Sequence, residues 1–186
     1  MKKILEFLKA QEIMCEIYEN ISESDKFYVG IIKSFDGEMF IFESISQEGN
    51  FDGFYCTSVD SIIAINYDTI YLKNLSKTAS KRADKICFDN VNVLSGFLSE
   101  IKSKNALCEL ELLNDYSRAL VGYIEKIDDE TLSVKLINEH GIRDGVGIVK
   151  INDISCVAFD TEELQNLKIL TDFRSKNCNG ISYENF

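Results

Sequence analysis

The chain has 186 residues, of which 45% are hydrophobic, a composition typical of globular rather than disordered proteins. Its 20 basic and 31 acidic residues give a net charge of −11, which argues against a general nucleic-acid binder, because phosphate recognition usually requires a basic excess. No apolar run approaches the roughly 18 residues of a membrane span, and the amino terminus lacks the apolar stretch of a signal peptide, so we expect a cytoplasmic protein that does not enter a membrane.

Two stretches of the chain repeat each other. Residues 29–76 align without a gap with residues 121–168 at a constant offset of 92, and 15 of the 48 positions are identical. Solenoid repeats run at about 20 to 50 residues, so this longer period indicates two copies of a whole domain. We therefore divide the chain into a first repeat at 1–77, a linker at 78–90, a second repeat at 91–171 and a polar tail at 172–186.

Each repeat is predicted to contain a helix, five short strands and a second helix. An apolar stripe of helical spacing marks the first helix, most clearly in the second repeat at Leu94, Phe97, Leu98 and Ile101. The predicted strands are 15–19, 27–35, 39–45, 54–59 and 61–66 in the first repeat, and 106–113, 119–127, 131–137, 146–151 and 154–159 in the second. The closing helices are predicted after Thr69 and Thr161, because a Thr side chain can cap a helix amino terminus.

This order of elements predicts a mainly β fold with short helices. Five antiparallel strands in about 55 residues are typical of a small, strongly bent barrel of the SH3-like or OB-like kind. The expected architecture is therefore two duplicated five-stranded barrels, each with an amino-terminal helix and a short carboxyl-terminal helix. Gly30 and Gly122 lie inside the second strands, where glycine permits a bend or a close backbone approach.

The outward-facing residues of the third strand differ between the two repeats. In the second repeat it alternates, so that Thr131 and Ser133 face water, whereas Met39 and Ile41 stand at the equivalent outward positions of the first repeat. An outward apolar pair requires a cover, which the second barrel or another subunit could supply. We predict an interface at this pair, and the predicted interface residues are Met39, Ile41, Phe51 and Tyr55.

Catalytic, metal and nucleotide motifs are missing from the sequence. The six cysteines form no Cys-x-x-Cys pair, and the single His140 is replaced by Glu48 in the other repeat. We therefore predict no enzyme, no metal and no cofactor, and we interpret most cysteines as buried free thiols. Asp52 and Asp144, each followed by glycine, are interpreted as turn residues.

Two segments resemble the Sm and Sm-like proteins. Residues 121–128 are similar to the second strand of the first Sm motif, a glycine-containing strand leading to an Asp, and residues 145–157 are similar to the second motif, two strands joined by a tight turn. The resemblance covers both repeats and implies a bent five-stranded sheet after a helix. A strand–Asp-Gly–strand–Asp–Ile pattern also resembles uncharacterised Gram-positive bacterial proteins.

The same resemblance argues against the RNA pocket of that family. Sm proteins that bind uridine-rich RNA use an Asn shortly after the Asp, where this chain has Met39-Phe40 and Thr131-Leu132. They also use an Arg-Gly or Lys-His element in the tight turn, which here reads Ser58-Val59-Asp60-Ser61 in the first repeat and Lys150-Ile151-Asn152-Asp153 in the second. The fold is therefore expected to carry over without the RNA site.

Three functions remain open from the sequence. The favoured one is a non-enzymatic interaction or scaffold module that binds a protein partner or a second copy of itself. The alternative is an RNA-binding regulator, which net charge disfavours. It requires a local basic surface, for which the candidates are Lys77, Lys81, Arg82, Lys85 and Lys150, although a cluster of this kind between two domains can equally be a solvated linker. The third is a small-ligand binder or enzyme with an unrecognised pocket.

Overall fold

A computed structural model describes residues 1–19, 27–79, 88, 91–113 and 115–178, with side chains at all of these except 115–118 and 176–178. The protein is mainly β, with ten strands and four helices in the described residues. The first repeat consists of α1 (Lys2–Ala10), β1 (Met14–Glu19), β2 (Tyr28–Phe35), β3 (Met39–Ile45), β4 (Phe51–Ser58), β5 (Ile62–Tyr67) and α2 (Ile70–Leu75). The second consists of α3 (Val93–Ser103), β6 (Leu107–Leu112), β7 (Asp115–Ile127), β8 (Thr131–Ile137), β9 (Arg143–Lys150), β10 (Ile154–Phe159) and α4 (Glu162–Cys178).

The ten strands form one open antiparallel sheet rather than two separate closed barrels. Their order is β5-β1-β2-β3-β4-β10-β6-β7-β8-β9, so that each repeat contributes five neighbouring strands in the same relative order. The two halves join where β4 pairs with β10. Two separate five-stranded barrels, as expected from the sequence, are not seen, because the sheet does not close and β4 pairs with β10 of the other repeat.

Three predicted boundaries also move. β4 begins at Phe51 and β9 at Arg143, three residues before the predicted starts, so that Asp52 and Asp144 lie inside strands rather than in turns. The closing helix of the second repeat continues through Cys178, beyond residue 172 where the polar tail was predicted to begin.

The helix caps follow the sequence pattern. Thr69 accepts a hydrogen bond from the backbone N–H of Leu72 at 3.2 Å, and Thr161 accepts one from Leu164 at the same distance. A side-chain oxygen in this position satisfies one of the free amides of the first helical turn. The tight turns that precede β5 and β10 are single 3₁₀ turns at Val59–Ser61 and Ile151–Asp153.

The mid-strand glycines allow neighbouring strands to approach closely. A Cβ added at Gly30 would lie 2.7 Å from a ring carbon of Phe42 and 2.8 Å from the carbonyl oxygen of Glu43. At Gly122 an added Cβ would collide with the carbonyl oxygen of Lys135. A larger residue would force β2 away from β3, or β7 away from β8, so both repeats need glycine at this point.

The two repeats share part of their hydrophobic core. One cluster packs α1 against the first repeat through Leu5, Leu8, Ile17 and Phe42. The larger cluster is centred on α3 and the second repeat, but it also contains residues of β3 and β4 from the first repeat. The helix α3 therefore bridges the two halves. In the part of the chain that the structure describes, no helix is both long enough and apolar enough to cross a membrane.

Candidate interaction surfaces at the sheet edges

The junction between the repeats is a ladder of paired residues on β4 and β10. The two strands run antiparallel, so backbone hydrogen bonds link the halves of the sheet as they would two neighbouring strands of one domain. The four junction pairs, with the β4 residue first, are Phe54–Phe159, Tyr55–Ala158, Cys56–Val157 and Thr57–Cys156.

An aromatic cluster closes one face of this junction. The rings of Phe54 and Phe159 stack with their centroids 6.3 Å apart, and Phe97 of α3 meets Phe159 edge to face at 6.2 Å. Phe54 is 1% exposed and Cys56 is fully buried. Burying aromatic side chains of this size is a major contribution to stability, so the junction behaves as core rather than as surface.

Asp52 and Gly53 complete the junction at its end. The Asp52 carboxylate accepts a hydrogen bond at 3.0 Å from the backbone N–H of Glu162, the first residue of α4. Gly53 has a φ of +79°, and a Cβ there would lie 2.6 Å from both the carbonyl oxygen of Phe159 and the amide nitrogen of Thr161. The Asp-Gly pair therefore belongs to the contact between the repeats, which the turn interpretation missed. The available signal was that both repeats retain the pair.

The four predicted interface residues divide between two clusters. Ile41 is fully buried in the cluster that contains Phe97 and other α3 residues, and Met39 and Phe51 pack against the same cluster. The outward face of β3 is thus covered by the second repeat. Tyr55 lies instead against the core of the first repeat, where its ring stacks on Phe42 with centroids 5.4 Å apart.

The outer strand β9 exposes the residues that its counterpart β4 buries. Val146 and Ile148 occupy the positions equivalent to Phe54 and Cys56, yet they are 47% and 73% exposed. In the described residues β9 pairs with β8 alone, so the edge that corresponds to the junction side of β4 has no strand beside it. Large apolar side chains on an unpaired strand are a ready surface for another strand.

The opposite outer strand, β5, shows the same relationship to β10. Tyr67 is equivalent to Phe159 and forms a tilted ring pair with Phe7 of α1, with centroids 6.0 Å apart. This pair resembles the Phe97–Phe159 pair of the second repeat, but both of its rings are 45% exposed, and none of the described residues takes the place of Phe54 beside them. Each end of the sheet therefore presents one half of the junction.

The predicted basic residues do not form a surface in the described residues. Lys77 donates a hydrogen bond to the Asn74 side chain at 3.2 Å, next to the end of α2. Lys150 lies at the end of β9, where it pairs with Thr131 of β8 in the second repeat. Lys81, Arg82 and Lys85 lie outside the described residues.

The titratable groups give no metal-binding arrangement in the described residues. No group of three or more His, Cys, Asp and Glu side chains converges to hold a metal. Burial, with a smaller effect of Glu16, raises the pKa of Cys15 to about 12, and burial together with Glu109 does the same for Cys108. Thiols that stay protonated are poor nucleophiles. His140 lies exposed in a turn, 3.5 Å from the carboxylate of Glu139.

Comparison with known proteins adds little to this geometry. No protein-family model matches the chain, and no curated protein matches it. A matching solved structure is the crystal structure of YcgR in complex with c-di-GMP from Escherichia coli, which is 8% identical in sequence. The alignment covers 96% of this chain and 92% of that chain with a TM-score of 0.19, which is too low to support an argument about fold or function.

Proposed function

We propose that the chain is a non-enzymatic cytoplasmic scaffold module that assembles with further copies of itself through β5 and β9. One observation carries the proposal: the outer edges expose apolar residues at the positions that the junction between β4 and β10 buries. In finer detail, we propose that each repeat is an incomplete, strongly bent Sm-like barrel. The common strand order of the two repeats and the close strand approach at Gly30 and Gly122 support that description.

The junction supplies the register of the proposed contact. The repeats are offset by 92 residues, so each β10 residue has its equivalent on β5 and each β4 residue has its equivalent on β9. Each residue pair of the β4–β10 junction therefore predicts one pair between β9 of one copy and β5 of the next. Apolar residues then meet apolar residues, and the one polar residue, Asn66, meets Gly147, which has no side chain to obstruct it. The four expected pairs between copies, with the β5 residue first, are Tyr67–Val146, Ile65–Ile148, Asn66–Gly147 and Ala64–Val149.

The Asp-Gly pair of β9 has the geometry that a partner would require. A Cβ added at Gly145 would meet nothing within 4 Å, whereas the equivalent Gly53 is pressed against the end of β10. In the proposed contact, the Asp144 carboxylate would accept a hydrogen bond from the backbone N–H of Ile70 in the next copy, as Asp52 accepts one from Glu162. The second repeat retains Asp144 and Gly145 although neither contacts a partner among the described residues, and this supports self-association.

The contact between copies should be weaker than the internal junction. The face of β8 next to β9 carries Thr131 and Ser133 where β3 carries Met39 and Ile41 beneath α3. Less apolar area would therefore be buried between copies than within one chain. We expect reversible, concentration-dependent assembly. Because β5 and β9 are different surfaces, the contact is heterologous, and it must either close into a ring or continue as a filament.

The first test is native mass by light scattering over a range of concentrations, with absorbance read for protein and for nucleic acid. We expect the native mass to rise with protein concentration, and we expect no nucleic-acid absorbance in the protein peak. Ile148→Lys should shift the protein toward the mass of a single chain, because a charge on β9 obstructs strand pairing. Ile169→Lys is the matched control, since Ile169 is exposed to 67% on α4 and belongs to neither edge strand. A wild-type mass that stays at one chain contradicts the proposal, and co-purifying nucleic acid would favour the RNA-binding alternative.

The register is tested by mixing two single-cysteine additions. Tyr67→Cys mixed with Val146→Cys should form an intermolecular disulfide under mild oxidation, because paired positions on adjacent strands bring their Cβ atoms to about 5 Å. Tyr67→Cys mixed with Lys150→Cys places the second thiol four residues out of register and should cross-link much less. Equal yields from the two mixtures would exclude the proposed pairing even if the protein self-associates.

A further inference from the structure

The first repeat contains a half-open cavity of about 530 Å³ between the ends of β2 and β3, the strand β4 and the helix α2. Two aromatic pairs line it. In one pair the rings of Tyr28 and Tyr55 lie with centroids 5.4 Å apart. In the other pair Phe27 meets Tyr71 edge to face at 5.9 Å. Four aromatic rings around one cavity supply several π faces, which attract organic cations.

The ionisable groups that line the cavity are negative or neutral. Glu48 and Asp52 contribute carboxylates, and no Lys, Arg or His is among the described residues that line it. Burial is the main cause that raises the pKa of Tyr55, and the nearby charge of Asp52 adds to it. The negative charge around the aromatic walls would stabilise a bound cation and would repel an anion.

The second repeat does not retain this arrangement. At the positions equivalent to Phe27, Tyr28, Tyr55 and Tyr71 it has Ala119, Leu120, Gly147 and Glu163. Those substitutions remove all four rings while leaving the strand order of the repeat unchanged. The aromatic walls are therefore not required by the fold, and they mark a point at which the two copies differ in surface chemistry.

We propose that this cavity binds an organic cation, an ammonium or guanidinium group carried on an apolar stem. The aromatic faces would contact the cation and its stem, while Asp52 and Glu48 would supply the opposing charge. This inference is independent of the proposed self-association, because none of the paired residues expected on β5 and β9 lines the cavity. The same site could receive a free alkylammonium compound or a basic side chain of a protein, and these two sources share the recognised chemistry.

Nucleobase stacking is less consistent with the same walls. Aromatic residues in single-strand nucleic-acid sites are combined with a positively charged groove that follows the phosphates. Here the charged residues that line the cavity in the described part of the chain, Glu48 and Asp52, are acidic. A nucleotide would bring its phosphate close to these carboxylates, so an organic cation is the ligand class that the charge favours.

The test compares choline with 3,3-dimethylbutan-1-ol, its neutral isostere, by titration of the tyrosine ring resonances. We expect choline to give saturable shifts and the isostere to bind at least about tenfold more weakly, since a cation–π contact in a partly desolvated site is worth about that factor. N-acetyl-lysine methylamide and N-acetyl-arginine methylamide are titrated in parallel. Tighter binding of one of these amides would identify a basic protein side chain as the source of the cation.

Two variants locate the binding. Tyr71→Leu removes a half-exposed ring that lines the cavity and should weaken the affinity for choline by about threefold or more. Phe173→Leu is the control: it removes an exposed aromatic ring of α4 that does not line the cavity, and it should leave the affinity unchanged. Tyr28→Leu introduces the residue that the second repeat has at this position, and it should weaken the affinity for choline more than Tyr71→Leu does. Unshifted resonances of the second repeat would show that this variant remains folded. Equal binding of choline and its isostere, unaltered binding in Tyr71→Leu, or no saturable shift with any of the three cations would overturn the proposal.

Discussion

The carboxylate of Asp52 on β4 accepts the backbone N–H of Glu162 at 3.0 Å, across the junction of the two repeats. This hydrogen bond joins residues 110 positions apart in the chain and ties the first amide of α4 to the opposite half of the sheet. Asp144 is the equivalent residue of the second repeat and is likewise followed by glycine, but it has no hydrogen-bond partner among the described residues. The two aspartates therefore form a matched pair for experiment.

Substitution of the two aspartates should give different results. Asp52→Ala removes a hydrogen bond at the amino terminus of α4 and should lower the free energy of unfolding by about 1 kcal/mol. Asp144→Ala should leave that free energy nearly unchanged in dilute solution and should weaken self-association instead. Urea denaturation at low protein concentration and light scattering at high concentration measure the two effects. Equal destabilisation by both variants would contradict the assigned roles.

The two glycines that follow these aspartates allow a second comparison. Both have positive φ angles, +79° at Gly53 and +92° at Gly145, so alanine is strained at both by about 1–2 kcal/mol. Only at Gly53 would the added Cβ also press on the backbone of β10, which should cost a further 1–3 kcal/mol or so. We therefore expect Gly53→Ala to have the lower melting temperature by calorimetry. Identical melting temperatures would mean that the close approach at Gly53 relaxes without cost.

Ile41 tests the packing between the repeats. It is fully buried against the cluster that α3 builds, so Ile41→Ser combined with Met39→Ser should destabilise the protein by roughly 3–5 kcal/mol through lost burial and a buried hydroxyl. Ser133→Ala, at the half-buried equivalent of Ile41, is the control and should change stability by less than about 0.5 kcal/mol. Denaturant unfolding measures both, and an unchanged midpoint in the double variant would show that the repeats do not depend on this contact.

The buried thiols predict a loss of stability at alkaline pH. The pKa values of Cys15 and Cys108 rise from the ordinary value of 9.0 to about 12, so the unfolded chain releases these protons at lower pH than the folded protein does. The folded state then holds more protons, and the free energy of unfolding must fall as pH increases from about 9 toward 12, by up to about 1.4 kcal/mol per pH unit for each thiol.

Urea denaturation in reducing buffer at pH 8, 9 and 10 checks this slope. The double variant Cys15→Ala with Cys108→Ala should show a shallower decline than the wild-type protein, because its remaining alkaline titration comes from other groups. A decline of the same steepness in both proteins would assign the pH dependence to those other groups and would contradict the role given to the two thiols.

The internal repeat and the alternation of apolar residues determined the element order in advance. Local physics governs these features: Thr69 and Thr161 cap their helices through bonds to amides three residues away, and Leu132 and Val134 face the core because strand side chains alternate. The outward apolar pair at Met39 and Ile41 also indicated, from sequence alone, that this face of the sheet requires a cover.

The pairing of β4 with β10 could not be predicted in this way. Every strand offers backbone donors and acceptors along both edges, so the pattern of one strand does not say which strand will lie beside it. That choice depended on tertiary packing, in which α3 and Phe159 cover Ile41 and Phe54 and hold the two halves in one sheet. The same packing moved Asp52 from a predicted turn into the junction and left Val146 and Ile148 exposed at the far edge. Sequence determined what each repeat is made of, and tertiary contacts decided how the repeats meet and which surfaces remain open.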